Sequence, residues 1–265
     1  MENLIEQNRI AWETRSKLLG TSLKSVLFKG LPDVVNEHLH NWHKSLILNI
    51  IENKHNLRIL DAGCGYGRLS IPIIKNFPSL DITGIDISEN FVKLYKENTN
   101  HPAFVGTVEN IPAALGTFDY IICITVLMYL DGENLKKAIA NLLFHLEPEG
   151  KLILIEPQRS GVPFLTGFGI LTFLRHRMGR DAIDTKGRPF RMNEIEHLFG
   201  NAGGEVLSEY RLPITSLCIL PLTFIGKILP SRLAKGIYKT VSFLDALLSK
   251  FKLPSIYVAY LITRN

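Results

Sequence analysis

The sequence is poor in the features that mark secreted and membrane-spanning proteins. It has three cysteines, Cys64, Cys123 and Cys218, an odd and sparse set that predicts no disulfide framework. The uncharged apolar run over residues 214–226 has about 13 residues, whereas a transmembrane helix needs about 20. The polar, acidic opening lacks the apolar core of a secretory signal. These absences predict a cytoplasmic protein with reduced, packed thiols.

The overall composition is that of an ordinary folded domain, but its charge is unevenly distributed. Apolar residues make up 46% and charged residues 21% of the 265 residues, which suits one substantial α/β domain with an insertion. Residues 211–254 carry seven basic side chains against one acid, Asp245, so their net charge of +6 exceeds the +5 of the whole chain. Basic charge confined to an apolar segment favours an anionic membrane surface over a nucleic-acid groove.

One glycine-rich stretch near residue 60 organises the rest of the chain. An apolar run, Arg-Ile-Leu-Asp-Ala, leads into Gly63, Gly65 and Gly67 and continues with apolar residues at helical spacing. This pattern predicts a strand, a tight turn and a helix. Glycines admit positive φ and let a ligand approach the main chain. In an open α/β sheet such a turn lies at the carboxyl end of the first strand, where ligands bind.

The spacing of these glycines narrows the class of ligand. The chain reads D-x-G-x-G-x-G from Asp61, and Arg68 stands where a dinucleotide fingerprint has its third glycine. A second acid, Asp86, ends the next strand. Over about residues 55 to 210 the chain resembles the class I S-adenosylmethionine-dependent methyltransferases, and within them the small-molecule branch that includes the quinone-biosynthesis type.

The order of predicted elements agrees with this resemblance. Strands alternate with helices, which implies a parallel sheet with right-handed crossovers. The resemblance implies a Rossmann-like α/β fold of seven mostly parallel strands in the order 3-2-1-4-5-7-6, the last strand antiparallel. Residues 1–54 are predicted to form an N-terminal helical cap and residues 55–265 the S-adenosylmethionine-binding domain. The alternation pauses over residues 158–189.

The segment 211–254 is predicted to be a helical insertion between strands 6 and 7. Residues 214–226 form an apolar run broken by Pro221. Residues 231–250 have a basic, amphipathic helical pattern, in which one apolar stripe consists of Leu233, Ile237, Val241, Leu244 and Leu248. The stripe either meets a membrane or packs onto the core or a second subunit. The oligomeric state stays open.

The resemblance also assigns cofactor-binding roles. The residues expected at the methionine end are Asp61, Gly63, Cys64, Gly65 and Gly67. Asp86, followed by Ile87, is expected to accept the ribose hydroxyls. The residues expected near adenine are Thr107, Val108 and Glu109, although Thr107 replaces the carboxylate that many relatives have there. Ile124 and Thr125 are expected to present their backbone to the cofactor.

The catalytic residues are less clearly indicated by the sequence. Glu156 ends the fifth strand and is predicted to accept a proton from the methyl acceptor. Tyr129 stands near the position where relatives often carry a histidine, and it is predicted to pack or to orient the substrate. No metal site is expected, because His38 and His40 point to different helix faces and no cysteine or carboxylate completes a set with them.

The function that these patterns predict is transfer of a methyl group from S-adenosylmethionine to a lipophilic small molecule. The acceptor would be an isoprenoid, a quinone or a lipid-linked molecule, met at the inner face of the membrane by a peripheral enzyme. Two alternatives stay open: a soluble natural-product methyltransferase whose insertion closes over its substrate, and a non-catalytic S-adenosylmethionine-binding interaction protein. No nucleic-acid acceptor is expected, since no Asn/Asp-Pro-Pro-Tyr motif follows the fourth strand.

Overall fold

A seven-stranded sheet is the centre of the computed structural model, which describes residues 4–159 and 187–265. The strands are Arg58–Ala62 (β1), Asp81–Asp86 (β2), Ala103–Val105 (β3), Phe118–Ile124 (β4), Leu146–Pro157 (β5), Gly204–Arg211 (β6) and Tyr257–Arg264 (β7). Their spatial order is β3-β2-β1-β4-β5-β7-β6, and β7 is antiparallel to both of its neighbours. The predicted fold class is therefore confirmed.

Helices flank this sheet and precede it. They are Leu4–Leu19 (α1), Leu23–Val26 (α2), Asp33–Ile50 (α3), Ser70–Asn76 (α4), Glu89–Thr99 (α5), Gly132–Phe144 (α6), Glu194–Asn201 (α7), Pro213–Leu217 (α8), Ile219–Ile228 (α9) and Ser231–Leu248 (α10). A short 3-10 turn, Leu127–Tyr129, follows β4. Most of the irregular segment that the sequence places at 158–189 lies outside the described residues.

The sheet has an apolar core on each face because its inner strands are buried on both sides. Ile59 of β1 and Ile122 of β4 belong to the core shared with α3 and the insertion. Leu60 and Ile121, their neighbours along the same strands, belong to the core on the opposite face. Successive strand residues point to opposite faces, so continuous apolar runs are what a covered parallel sheet requires.

Helix α3 attaches the N-terminal helices to the core that contains Ile59 and Ile122. Val35 and Leu39 are fully buried there, and the Asn36 side chain bonds both the N–H and the C=O of Phe28. Asp33 follows Pro32 but does not cap α3, since the helix begins at Asp33 itself and has no side-chain cap. Its carboxylate instead pairs with Lys24 at 2.8 Å.

The insertion consists of α8, α9 and α10. The chain breaks between α8 and α9 at Cys218, not at Pro221 as the sequence suggested. Pro221 is the third residue of α9, where its missing N–H has no intrahelical partner to lose. None of the helices in the described ranges combines the length and the apolar character that crossing a bilayer requires.

The face that α10 turns to the core differs from the predicted apolar stripe. The buried positions are Ala234, Tyr238, Val241 and Asp245, whereas Leu233 is 61% exposed. Polar anchors explain the rotation: Tyr238 donates to the Leu222 carbonyl at 2.7 Å, and Asp245 accepts the N–H of Ile214 at 2.7 Å. Leu233, Ile237 and Leu244 of the predicted stripe are exposed, whereas Val241 packs into the core.

Candidate active site

The loops that leave β1, β2, β3 and β4 meet at the carboxyl edge of the sheet and line one cavity. The space between these loops measures about 980 Å³, counting the solvent at its open mouth. Twelve residues that the sequence predicted for the site line this cavity: Asp61, Gly63, Cys64, Gly65, Asp86, Ile87, Thr107, Val108, Glu109, Ile124, Thr125 and Tyr129. Topology brings them together, since parallel strands end at the same edge.

The glycine-rich turn is held in a left-handed conformation. Gly63, Gly65 and Gly67 have φ of 82°, 53° and 88°, which residues with a Cβ adopt at a cost. A Cβ on Gly63 would lie 2.4 Å from a methyl group of Val126, so glycine is needed there for packing as well as for φ. Gly67 packs against Tyr95 and Thr99 and is not among the described residues that line the cavity.

Asp86 ties the glycine-rich turn to the start of α5. One carboxylate oxygen accepts the N–H of Gly65 at 2.8 Å and the other accepts the N–H of Ser88 at 2.9 Å. Burial raises the pKa of Asp86 to about 6, and these two hydrogen bonds partly offset the rise. The carboxylate is thus held rigidly at the cavity wall and has lone pairs left for a ligand hydroxyl.

Asp61 is the second buried acid of the cavity. It accepts a hydrogen bond from the Ser70 hydroxyl at 2.6 Å, and Tyr95 in turn donates to Ser70. Burial raises the pKa of Asp61 to about 6 as well, against the lowering effects of Ser70 and of the Arg68 charge. Two buried carboxyls in one cavity form a site that attracts a cation.

The loop after β3 brings a polar atom without a partner to the cavity. Val108 starts a short 3-10 turn, and the Glu109 carbonyl accepts a hydrogen bond from Asn141 at 2.9 Å. The Glu109 side-chain atom Oε1 is buried and has no hydrogen-bond partner among the described residues. Since an unsatisfied buried acceptor costs about 1–3 kcal/mol, this atom is placed for a donor from a ligand.

The end of β4 has backbone strain where it faces the cavity. Thr125 has φ of 54°, unusual for a β-branched residue. Its N–H donates to the Ile155 carbonyl at 2.8 Å, which holds the backbone in place. Strain of this kind persists where surrounding structure enforces it and clusters at ligand sites.

Glu156 does not occupy the position that its predicted role as a proton acceptor requires. Its carboxylate is buried and accepts the N–H groups of Val126, Leu127 and Met128 at 3.0, 2.7 and 3.3 Å. It is not among the described residues that line the cavity. Burial raises its pKa to about 8, against these hydrogen bonds. Glu156 therefore anchors the turn after β4, and the prediction of a base is corrected.

Tyr129, the other predicted catalytic residue, does reach the cavity. Its ring meets Trp12 edge to face, with centroids 5.5 Å apart, and its carbonyl accepts a hydrogen bond from Asn8 at 3.1 Å. Trp12, Asn8 and Ile5 all belong to α1 and also line the cavity. The arrangement favours orientation of a bound molecule by Tyr129.

No residue of α1 or α2 was predicted from the sequence to line the cavity. Glu13 of α1 accepts the Ser88 hydroxyl at 2.7 Å and the Asn90 N–H at 3.1 Å, so α1 is attached to the first turn of α5. Val26 of α2 and Arg68 complete the wall. The sequence indicated this region only as the helical cap predicted for residues 1–54.

Comparison with known proteins identifies the domain. Residues 59–150 match the family model of a methyltransferase domain. The structure is similar to magnesium protoporphyrin IX methyltransferase from Synechocystis PCC 6803, solved with bound SAH (S-adenosylhomocysteine), at a TM-score of 0.52 and 21% identity over 66% of this chain and 78% of that one. With the sheet order, these findings show that the chain contains a methyltransferase domain and has the fold of the class I methyltransferases, which use S-adenosylmethionine as cofactor.

The curated relatives are diverse. A tRNA N(3)-cytidine methyltransferase of Danio rerio is 31% identical over 169 residues, 57% of this chain and 45% of the relative. The ubiquinone biosynthesis O-methyltransferase of Rickettsia conorii is 26% identical over 123 residues, 44% of this chain and 41% of the relative. The chain spans less than half the length of these relatives. They share the methyltransferase domain and differ in what their names say they act on.

The described residues of the cavity fit this cofactor. S-adenosylmethionine presents two ribose hydroxyls, an adenine amino group, a sulfonium, an ammonium and a carboxylate. The cavity offers acceptors for the neutral donors, buried carboxyls for the cationic groups and, in Arg68, a cation. No group of three or more metal-binding side chains occurs within the ranges that the structure describes.

Proposed function

We propose that the chain transfers the methyl group of S-adenosylmethionine to a lipophilic small molecule, an isoprenoid, a quinone or a lipid-linked compound, at a membrane surface. The observation that carries the methyl-transfer part is the cavity, in which two buried carboxyls, an unpartnered acceptor and a strained strand end face one space. Residues 1–54 act as the cap and residues 55–265 as the methyltransferase domain.

The predicted cofactor residues take distinct parts in this proposal. Asp61 and the backbone at Gly63 and Gly65 hold the methionine end. Asp86 accepts the ribose hydroxyls, and its two main-chain hydrogen bonds keep it oriented before the ligand binds. Ile124 and Thr125 present the end of β4 to the reacting end of the cofactor. Gly67 supports the turn from behind.

Glu109 supplies the adenine contact that Thr107 cannot make. Its Oε1 is a buried acceptor without a partner in the described residues, and the adenine amino group is a donor. A carboxylate two residues later in the loop thereby replaces the one that many relatives carry at position 107. The main-chain N–H of Val108 is positioned for a ring nitrogen.

The chemistry requires alignment more than proton transfer. The cofactor supplies an electrophilic methyl group when bound, and rate enhancement comes from holding the acceptor close and in line with it. Tyr129, packed against Trp12, orients the acceptor. Glu156 acts indirectly, because its hydrogen bonds hold the main chain from Val126 to Met128, which directly precedes Tyr129.

The surface of the insertion supports a lipophilic acceptor and a membrane. Large exposed apolar side chains are concentrated in residues 211–254, namely Leu217, Phe224, Ile228, Leu233, Ile237, Phe243, Leu244, Leu247, Phe251 and Leu253. We call this set the apolar surface. A patch of this kind on a soluble domain marks an interaction site. None of these residues is among the described residues that line the cavity, so a role as substrate lid has no support here.

The basic side chains on the same segment favour an anionic bilayer as the partner of the apolar surface. Lys227, Arg232, Lys239 and Lys250 are exposed on the same segment, while the segment's single acid, Asp245, is buried among main-chain donors. Each basic residue near an anionic leaflet contributes about 1 kcal/mol. Burial of the apolar side chains adds to this attraction.

Vesicle flotation tests the membrane part. We expect the protein to float with vesicles of phosphatidylcholine and phosphatidylserine, and binding to weaken as salt screens the basic residues. The double change Phe243→Ser with Leu247→Ser should abolish flotation at every salt concentration. Phe144→Ser is the matched control, because Phe144 is 64% exposed on α6, close to the 69% of Phe243. Absence of wild-type flotation at low salt would refute the membrane part.

Methyl transfer itself is tested with labelled S-adenosylmethionine and fractionated extract. Label should appear in the lipid-soluble fraction with the wild-type protein and disappear with Asp86→Ala. Label in the water-soluble fraction alone would refute the lipophilic acceptor. Tight cofactor binding with no labelled product in either fraction would favour the non-catalytic alternative.

A further inference from the structure

Arg68 places a buried positive charge at the cavity with no carboxylate of the described residues within ion-pair distance. It is 8% exposed and lines the cavity. Within the described residues, its guanidinium makes hydrogen bonds to His40 Nδ1 at 3.0 Å and His43 Nδ1 at 3.2 Å, and no carboxylate forms an ion pair with it. Burial lowers its pKa to about 10, so it remains charged at neutral pH.

The two histidines that contact this guanidinium must both be neutral to accept its hydrogen bonds. An arginine can only donate hydrogen bonds, so Nδ1 of each imidazole must accept and the proton sits on Nε2. Burial and the Arg68 charge lower the pKa of His40 to about 4 and that of His43 well below its ordinary value, so both rings are neutral. Nε2 of His43 is left buried without a hydrogen-bond partner in the part of the chain that the structure describes.

A buried charge with two neutral partners is not fully compensated. Removing a cation from water costs several kcal/mol unless an anion and further hydrogen bonds repay it. Arginine has five N–H donors, and the two imidazoles use two of them, which leaves three. The free donors belong to a planar group that matches a carboxylate.

We propose that Arg68 binds the carboxylate of the amino-acid end of S-adenosylmethionine, held in position by His40 and His43. The inference rests on the proposed function and deepens it. Among the described cavity residues Arg68 is the only lysine or arginine, while the acids there suit the cofactor's cationic and neutral groups. Its charge lowers the pKa of Asp61, the acid assigned to the methionine end, and it directly follows Gly67 of the glycine-rich turn.

The test compares two ligands that differ only in this carboxylate. Calorimetry would measure the affinity of wild-type protein for S-adenosylmethionine and for decarboxylated S-adenosylmethionine, which keeps the sulfonium and the ammonium. We expect the first to bind about 10- to 150-fold more tightly, the range for a hydrogen-bonded charged pair. Arg68→Met should weaken only the first ligand, so that the ratio falls toward one.

Two further variants separate this role from a structural one. Arg68→Lys keeps the charge but loses the planar fork, so its ratio should be intermediate, and it decides the matter if Arg68→Met does not fold. Asp86→Asn should weaken both ligands by the same factor and leave the ratio unchanged.

The outcomes are distinguishable from failure of the proposed function. A wild-type ratio near one, or a ratio that Arg68→Met and Arg68→Lys leave unchanged, overturns the carboxylate assignment while methyl transfer stands. Failure of the wild-type protein to bind either ligand overturns both proposals.

Discussion

Ligand binding at this cavity should weaken as pH falls through about 6. Asp61 and Asp86 line the cavity, and burial raises the pKa of each to about 6. Neighbouring charges also affect these pKa values. The Arg68 charge lowers the pKa of Asp61, whereas the Asp61 and Glu13 charges raise the pKa of Asp86. If a ligand with an ammonium and ribose hydroxyls binds the ionised acids, protonation of either acid competes with binding.

The size of the effect follows from these values. An acid with a pKa near 6 is about nine-tenths ionised at pH 7 and about one-tenth ionised at pH 5, so each group lowers affinity about tenfold over this range. Two independent groups would give about 100-fold. Binding at pH 6 should also release about half a proton per group, because the ligand shifts each acid to its charged form.

Calorimetry with S-adenosylhomocysteine measures both quantities. Titrations at pH 5, 6 and 7 give the affinity, and buffers of different ionisation enthalpy give the protons released. Asp86→Asn removes one titrating group and should about halve the proton release. A constant affinity from pH 5 to 7 with no proton release would refute the reasoning.

The effect of these two acids on stability runs in the opposite direction to their effect on ligand affinity. Their folded-state pKa is raised above the ordinary value of 3.8, so the empty protein binds more protons than the unfolded chain between about pH 4 and 6. Their contribution to stability is therefore greatest below pH 4 and declines as pH rises to about 6. Affinity falls on acidification while this contribution rises.

Two further predictions concern the main chain around the cavity. Glu156→Gln should lower the free energy of unfolding by about 1–3 kcal/mol, measured by urea denaturation, because three main-chain N–H groups use both carboxyl oxygens as acceptors and an amide offers only one; loss of turnover at unchanged stability would instead restore the catalytic base. Gly63→Ala should destabilise more than Gly20→Ala. Both glycines have positive φ, but a Cβ at Gly63 would overlap Val126 whereas nothing lies within 4 Å at Gly20, and equal losses would show that backbone strain alone matters.

The local patterns of the sequence were enough to predict the sheet and most of the cavity. Apolar runs such as Phe118–Ile124 could be assigned to strands because burial on both faces leaves few alternatives. Asp86 could be placed at the cavity without knowing any contact, since a residue at the end of a parallel strand lies at the shared carboxyl edge. Ser88 caps α5 by accepting the Phe91 N–H, as expected of a serine directly before a helix.

Tertiary contacts decided what local patterns could not. The position of Glu156 at the end of a strand suggested a proton acceptor. Only the folded chain brings the N–H groups of residues 126–128 within hydrogen-bond distance of its carboxyl group. The amphipathic pattern of α10 admitted two adjacent faces, and Tyr238 and Asp245 selected one through partners 16 and 30 residues away. The pairing of Arg68 with His40 and His43, 28 and 25 residues away, has no periodic signature, because it depends on how α3 packs beside the glycine-rich turn.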